Sequence, residues 1–301
     1  MRKFRNIAVA GIAASALFAL TACNSGTPGA EPGDMEDGAA GGVSFDVASP
    51  ELDGSPTFDA LTSRGTINIG VKADQPGLGY LDPTTNERSG FDIDIARWMA
   101  ASLGFADEDI NWSEIESANR EQAIMNSDVD LYVGTYSMTE SRAEQINFAG
   151  PYFLTGQGLL VAADNDTITS DADLTSDVVV CSATGSTPIQ NIKDNYDAET
   201  REFGTYSECI EALRTGQVDA VTTDEAILIG YAAVEPDSFK VVGEPFSEER
   251  YGIGLPNNDV VLNEYLNEVL TDGGATWQEI FDHNLGASGV DGVQPTVDAV
   301  E

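Results

Sequence analysis

Thr66-Ile-Asn-Ile-Gly-Val71, Asp92-Ile-Asp-Ile-Ala-Arg-Trp-Met-Ala-Ala-Ser-Leu103 and Ile110-Asn-Trp-Ser-Glu-Ile115 follow one another closely, and their order decides the fold. The first alternates apolar and polar residues as a strand does. The second carries Ile95, Trp98 and Met99 at helical spacing and stops at Gly104, and the third returns to strand character. A helix over Arg120 to Asn126 and a strand over Val129 to Thr135 complete a β-α-β-α-β series. Such alternation predicts a mainly parallel sheet with helices on both faces, whose ligands sit at the carboxyl ends of the strands.

Working outward, a second series begins after Pro151. It predicts strands at Gly158 to Ala162, Val178 to Cys181, Arg201 to Phe203, Ala220 to Thr222 and Phe239 to Val242, with helices at Pro188 to Asn195, Ser207 to Thr215 and Asp224 to Val234. The chain then returns through Tyr251-Gly-Ile-Gly-Leu255 and two helices, Asp259 to Leu270 and Ala275 to His283. Two α/β units of about 100 residues each fit this length better than one.

Upstream lie Arg2, Lys3 and Arg5, an apolar run from Ile7 to Leu20, and Leu20-Thr-Ala-Cys23. Residues 1–22 read as an export signal and are set aside from the fold, being too short and small-chained for a membrane span. Leu20-Thr-Ala-Cys23 resembles a bacterial lipoprotein signal, which implies cleavage before Cys23 and a lipid on its sulfur; a free periplasmic product is the alternative. Residues 23–55 are rich in Gly, Ala, Pro and acids and read as a flexible tether. The expected product is extracytoplasmic, held to the lipid bilayer through Cys23.

The chain has 51 acids against 14 Lys and Arg, a formal charge of −37, and loss of residues 1–22 makes it −40. Nothing offers a basic face, so nucleic acid is excluded as a partner. The imbalance suits a salt-rich solvent, where self-repulsion is screened. It also makes each surviving cation informative. Between Glu121 and Ile192 the sole cation is Arg142, at the end of Asp130-Leu-Tyr-Val-Gly-Thr-Tyr-Ser-Met-Thr-Glu-Ser-Arg142. A guanidinium among Thr135, Ser137 and Thr139 is placed like a receptor for a carboxylate, because its planar fork can hold both oxygens. The alternative is a surface arginine paired with Glu140 or Glu144.

Cys181 and Cys209 form an even pair once Cys23 is set aside, so a disulfide is expected in an oxidising compartment, with two buried thiols as the alternative. His283 is the lone histidine and reads as a helix-end residue, so no His cluster for a metal exists and no cofactor is expected. Asp92 and Asp94 read as helix-start acids. Tyr152, Phe153 and Trp98 read as core, and Tyr80 as a shield for an aliphatic ligand stem.

Several blocks share one further pattern: Gly90-Phe-Asp-Ile-Asp-Ile-Ala96, Val129-Asp-Leu131, Ser137-Met-Thr-Glu-Ser-Arg142, Asn147-Phe-Ala-Gly-Pro-Tyr-Phe153, Gly185-Ser-Thr187, Gly216-Gln-Val-Asp-Ala220 and Thr223-Asp224. In order and spacing they resemble the extracellular solute-binding proteins of family 3, receptors of polar amino acid ABC importers, over about Leu61 to Gly286. Asp74-Gln-Pro-Gly-Leu-Gly79, Ser117-Ala-Asn-Arg120 and Cys181-Ser-Ala-Thr-Gly-Ser-Thr-Pro188 are similar to the actinobacterial glutamate-binding lipoproteins.

The resemblance implies the two-lobed, type II periplasmic-binding-protein fold with two hinge crossings and a ligand clamped between the lobes. Residues 56–154 and 253–287 would form lobe one, 155–252 lobe two and 288–301 a tail, with crossings near Leu154 to Gly158 and Phe246 to Gly252. It further implies that Arg142 and Ser137 take the ligand α-carboxylate with the Thr187 amide, at a helix start that favours anions. Asp224 and the Thr135 carbonyl would hold the α-ammonium, with Ser186 on the same wall. Lys72, Arg120 and Ser117 would meet a distal carboxylate, which predicts glutamate as ligand. The alternative for Lys72 is a solvated strand-end lysine, and for Arg120 an ion pair with Glu116. The expected partners are an acidic amino acid and a membrane ABC permease, and the receptor is expected to be a monomer. Two other functions remain open: a receptor preferring glutamine or aspartate, and a dehydratase-type enzyme on the same fold, for which Asp224 and Glu225 are the candidate acids but lack a catalytic partner.

Overall fold

The computed structural model describes residues 42–290 and 292–299. The export signal, Cys23 and the first part of the tether lie outside the described residues. No helix among the described residues is long and apolar enough to cross a membrane. The elements run α1 (Pro56–Arg64), β1 (Ile67–Val71), β2 (Asp74–Gln75), β3 (Gly79–Leu81), β4 (Arg88–Ser89), α2 (Phe91–Ser102), β5 (Ile110–Glu114), α3 (Arg120–Met125), β6 (Leu131–Tyr132), α4 (Glu140–Ala143) and β7 (Asn147–Thr155). They continue with β8 (Gln157–Ala162), β9 (Val179–Ala183), α5 (Thr187–Asn195), β10 (Glu199–Phe203), α6 (Tyr206–Arg214), β11 (Ala220–Asp224), α7 (Glu225–Val234), β12 (Phe239–Val242), β13 (Glu249–Leu255), α8 (Val260–Asp272) and α9 (Gly274–Asn284).

Two five-stranded sheets organise two lobes, the first in the order β5-β1-β6-β13-β7 and the second β10-β9-β11-β8-β12. In each, three parallel strands come first and an antiparallel strand follows them: β13 beside β6, and β8 beside β11. Those two inserted strands are the ones that cross between lobes. The crossings lie side by side at Gly156, where a Cβ would come within 2.4 Å of the Ser247 carbonyl, so only glycine fits. A small three-stranded sheet, β2-β3-β4, flanks the first lobe.

Local chemistry explains the elements nearest the site. Ser55 caps α1 by accepting the Phe58 amide at 3.1 Å, Pro56 starts the helix and Gly65 ends it at φ 76°. Ser55 also donates to Asp259 Oδ2 at 2.7 Å while Asp259 Oδ1 caps α8 through the Leu262 amide at 3.0 Å, tying the start of the described lobe to its end. Gly90, at φ 117°, lets α2 begin against the Leu78 carbonyl. The first core packs Phe91 against Phe153 and Trp277, with the Trp277 indole donating to the Tyr152 carbonyl at 2.7 Å. Trp98, Tyr152 and Phe153 are buried, as their apolar spacing implies. The expected disulfide joins Cys181 of β9 to Cys209 of α6, 28 residues apart.

Four differences from the sequence expectations have physical causes. The strand expected over Val129 to Thr135 keeps ladder pairing at Leu131 and Tyr132, because the chain then turns outward and Thr135 adopts φ 44°. Residues 147–153, a motif without an assigned element, form the long strand β7. The helix α1 and the small sheet were not expected. The end of the tether is packed rather than free: Val43, Phe45 and Leu52 lie on the first core, and the Ala48 amide donates to the Ala101 carbonyl at 2.9 Å. Three large apolar side chains among small and acidic neighbours suffice to dock it.

Candidate ligand-binding cleft

The carboxyl ends of β1, β6, β9 and β11 open on one cleft, as parallel sheets of this topology dictate. Lys72 follows β1, Arg120 begins α3, Thr135 and Ser137 follow β6, and Arg142 sits in α4. From the second lobe come Gly185, Ser186 and Thr187 at the start of α5, and Asp224 at the end of β11. Lys72, Ser117, Arg120, Thr135, Ser137, Arg142, Ser186 and Asp224 are all buried, and Thr187 is half-buried.

Arg142 spreads its fork between the lobes: it donates to the Ser137 carbonyl at 2.7 Å and to the Gly185 carbonyl at 3.0 Å, and its Nε lies 3.1 Å from Glu121. The ion pair is thus with Glu121 and not with Glu140 or Glu144. Arg120 also reaches Gly185, at 3.4 Å, and bonds the Ser117 carbonyl at 3.0 Å and the Thr135 carbonyl at 3.5 Å. Both guanidiniums stack on Tyr136, at 4.3 and 5.1 Å from the ring centre. Lys72 donates to Ser117 Oγ at 2.8 Å. Neither Lys72 nor Arg120 has a carboxylate within 4.0 Å among the described residues, so neither the solvated lysine nor the Glu116 pair exists. Thr187 Oγ1 completes the ring, 3.3 Å from Ser137 Oγ.

Like Arg142 and Arg120, other expected ligand groups carry bonds within the protein. The Thr135 carbonyl faces Arg120, and the Ser186 hydroxyl caps α5 through the Ile189 amide at 3.4 Å and lies 3.2 Å from Ser182 Oγ. Asp224 accepts from the Tyr251 hydroxyl at 2.7 Å through Oδ2, while its buried Oδ1 has no partner.

Burial sets the charges. It pushes the Lys72 ammonium down to about 7, helped by the neighbouring Arg120 and opposed by Asp74, Glu116 and Glu114. It pushes the Asp224 carboxyl up to about 8, helped by Glu249 and opposed by the Tyr251 hydrogen bond. Asp92 is raised to about 6 by burial, against hydrogen bonds from the Tyr152 hydroxyl at 2.8 Å and the Thr135 amide at 2.9 Å. Asp92 therefore does more than favour a helix start: it holds Thr135 in a left-handed conformation that a β-branched residue adopts at a cost of about 1–3 kcal/mol. Asp94 pairs with Arg97 at 3.1 Å.

Sequence reasoning missed Tyr136, Gln75, Asp74 and Glu249. Gln75 is fully buried and donates to Thr135 Oγ1 at 3.1 Å. Asp74 reaches across the cleft and accepts the amides of Tyr206 and Ser207, at 2.8 and 3.0 Å, at the free end of α6; the Tyr231 hydroxyl bonds its carbonyl. Tyr80 pairs with Asp74 in the hairpin and is half-buried. No local signal marked Glu249, which stands between Glu248 and Arg250 like an ordinary surface acid. A groove of about 500 Å³ lined by Thr139, Arg142, Gly185, Thr187, Gln190 and Glu202 lies between the lobes beside Arg142. The whole arrangement can hold a zwitterion: guanidinium and amides at one end, carboxylate nearby, and two unpaired cations at a third point.

Comparison with known proteins agrees with the two-lobed fold. The family model of the bacterial extracellular solute-binding proteins, family 3, matches residues 67–283. The chain is 41% identical to the glutamate-binding protein GluB of Corynebacterium glutamicum over 84% of its own length and 89% of that protein's. It is 36% identical to a glutamine-binding protein of Geobacillus stearothermophilus, covering 82% and 90%. Among solved structures, an ancestral arginine-binding protein bound to arginine superposes with a TM-score of 0.68 at 32% identity, over 74% of this chain and 99% of that one.

Proposed function

Because the chain belongs to the bacterial extracellular solute-binding proteins of family 3, we propose that it is the receptor of an ABC importer for an acidic amino acid, glutamate foremost. The observation that carries the acidic ligand is the pair Lys72 and Arg120. In a chain with 51 acids and 14 Lys and Arg, two buried cations lie in one cleft without a carboxylate partner. A buried charge left unpaired is costly, so such a pair suits a ligand that brings its own anion.

In this reading Arg142, Ser137 and the Thr187 amide take the α-carboxylate, Asp224 takes the α-ammonium through its free Oδ1, and Lys72, Arg120 and Ser117 take the side-chain carboxylate. Thr135 and Ser186 support these groups, one held by Asp92 and the other capping α5. Ligand binding to the closed form supplies the free energy of closure, and the closed form docks on a membrane permease. Lipid on Cys23 keeps the monomeric receptor beside that permease, outside the cytoplasm. The similarity to a glutamate-binding protein supports the ligand choice, while the glutamine-binding relative marks the alternative to be tested. Calorimetry of the delipidated protein against glutamate, aspartate, glutamine and asparagine tests it. Glutamate should bind tightest; equal or tighter binding of glutamine would refute the acidic ligand.

A further inference from the structure

We propose that Glu249 is a second carboxylate for the ligand's ammonium group, and that Asp224 and Glu249 together make the cleft reject dicarboxylic acids that lack an α-amino group. The inference rests on the receptor reading above and adds a specificity-determining residue to it.

Glu249 opens β13, the strand that returns from the second lobe to the first, and is 6% exposed. Its Oε2 accepts from Thr187 Oγ1 at 2.9 Å and its Oε1 from Ser247 Oγ at 3.2 Å. Thr187 is in turn 3.3 Å from Ser137, so Glu249 stands one hydroxyl away from the receptor built around Arg142. Tyr251, two residues on, projects from the same face of the strand, and its hydroxyl holds Asp224 at 2.7 Å. Residues 249 and 251 thus bring both acids to one side of β13, while Arg250 between them points away to Asp298.

Neither Asp224 nor Glu249 has a cation within 4.0 Å among the described residues, and Asp224 Oδ1 has no hydrogen-bond partner at all. Burial and then Glu249 raise the Asp224 carboxyl, against the Tyr251 hydrogen bond and the more distant Arg120 and Arg142, which lower it. A buried carboxylate with a second acid acting on it is costly to ionise, and a cation that makes direct contact lowers that cost. An α-ammonium is such a cation. A dicarboxylate without it adds further negative charge to the pair and must bring a proton or leave the cleft open.

A purely structural Glu249, holding the crossing to α5, would affect every ligand alike, and this gives the test. L-Glutamate and glutarate share a carbon chain and both carboxylates and differ in the ammonium. Their affinities are measured by calorimetry, glutarate by displacement, for wild type, Glu249→Gln, Asp224→Asn and the double variant. Glu249→Gln should narrow the preference for glutamate by about tenfold or more. Asp224→Asn should keep a preference of about tenfold, because Glu249 still faces the ammonium, and the double variant should lose it. Equal loss of both ligands in Glu249→Gln, or complete loss of the preference in Asp224→Asn, overturns the inference. If Glu249→Gln does not fold, the Asp224→Asn comparison decides. Wild type that binds no amino acid refutes the receptor reading itself; wild type that binds glutamate while the variants behave alike refutes only the role of Glu249.

Discussion

Raising the pH should erode the preference for glutamate over glutamine, and the size of the effect follows from Lys72. In the closed cleft without a side-chain anion, burial and Arg120 hold its ammonium at about 7. In the proposed reading a ligand carboxylate comes to lie opposite it and would return the group toward its ordinary value of 10.5. The ratio of the two affinities depends only on the two closed complexes, so the state of the open form cancels, as do Arg142 and Asp224, which both ligands meet alike. The sign is fixed: Lys72 is depressed in the glutamine complex, so that complex gains relative stability as pH rises above about 7, whereas the glutamate complex keeps its proton. Between pH 6 and pH 9 the preference should fall about a hundredfold, or about 2.7 kcal/mol. Calorimetry with both ligands at half-unit steps gives the ratio directly, and Lys72→Met should flatten it. A ratio independent of pH, or an undiminished slope in Lys72→Met, would refute both the charge state of Lys72 and its place at the side-chain end.

Four further outcomes are expected. Asp74→Ala removes the cross-cleft cap on the Tyr206 and Ser207 amides, so dissociation measured by stopped flow should quicken about 5- to 30-fold for glutamate and glutamine equally, by about 1–2 kcal/mol of lost capping; a change confined to one ligand would assign Asp74 to the ligand instead. Cys181→Ser with Cys209→Ser should lower stability by about 3–4 kcal/mol in denaturant titration through the 28-residue loop it opens, and an unchanged midpoint would show that the closed loop is not what stabilises the second lobe. Arg142→Ala should abolish binding of every amino acid, because all share the α-carboxylate; in wild type, by contrast, glutamate at a thousandfold excess over Kd should add about 4 kcal/mol to stability, read as a raised Tm.

The periodic part of the molecule was legible because burial enforces it. Ile67, Ile69 and Val71 of β1, and Ile95, Trp98 and Met99 of α2, face the core, so their spacing had to match their element. Arg142 was legible for another reason, since in so acidic a chain a cation stands out; Lys72 and Arg120 came from the family resemblance, and the structure buries all three in one cleft. What stayed hidden depends on contacts distant in sequence. Asp74 meets Tyr206 across 132 positions and Asp92 meets Tyr152 across 60, and no local pattern announces such a bond. The short ladder of β6 was hidden likewise, since the carboxylate that holds the Thr135 amide beyond the sheet belongs to Asp92, 43 positions away.

The exchange of strands between the sheets sets an order of assembly during synthesis. All five strands of the second sheet lie between Gln157 and Val242, in one continuous stretch. The first sheet instead needs β13, which ends at Leu255, to join β6 to β7. A growing chain that has reached Val242 therefore holds everything the second sheet requires, while the first still has a gap between strands made much earlier. The half of the protein that begins first is the half that is completed last, and until residue 255 arrives its two unpaired strand edges are open to wrong partners.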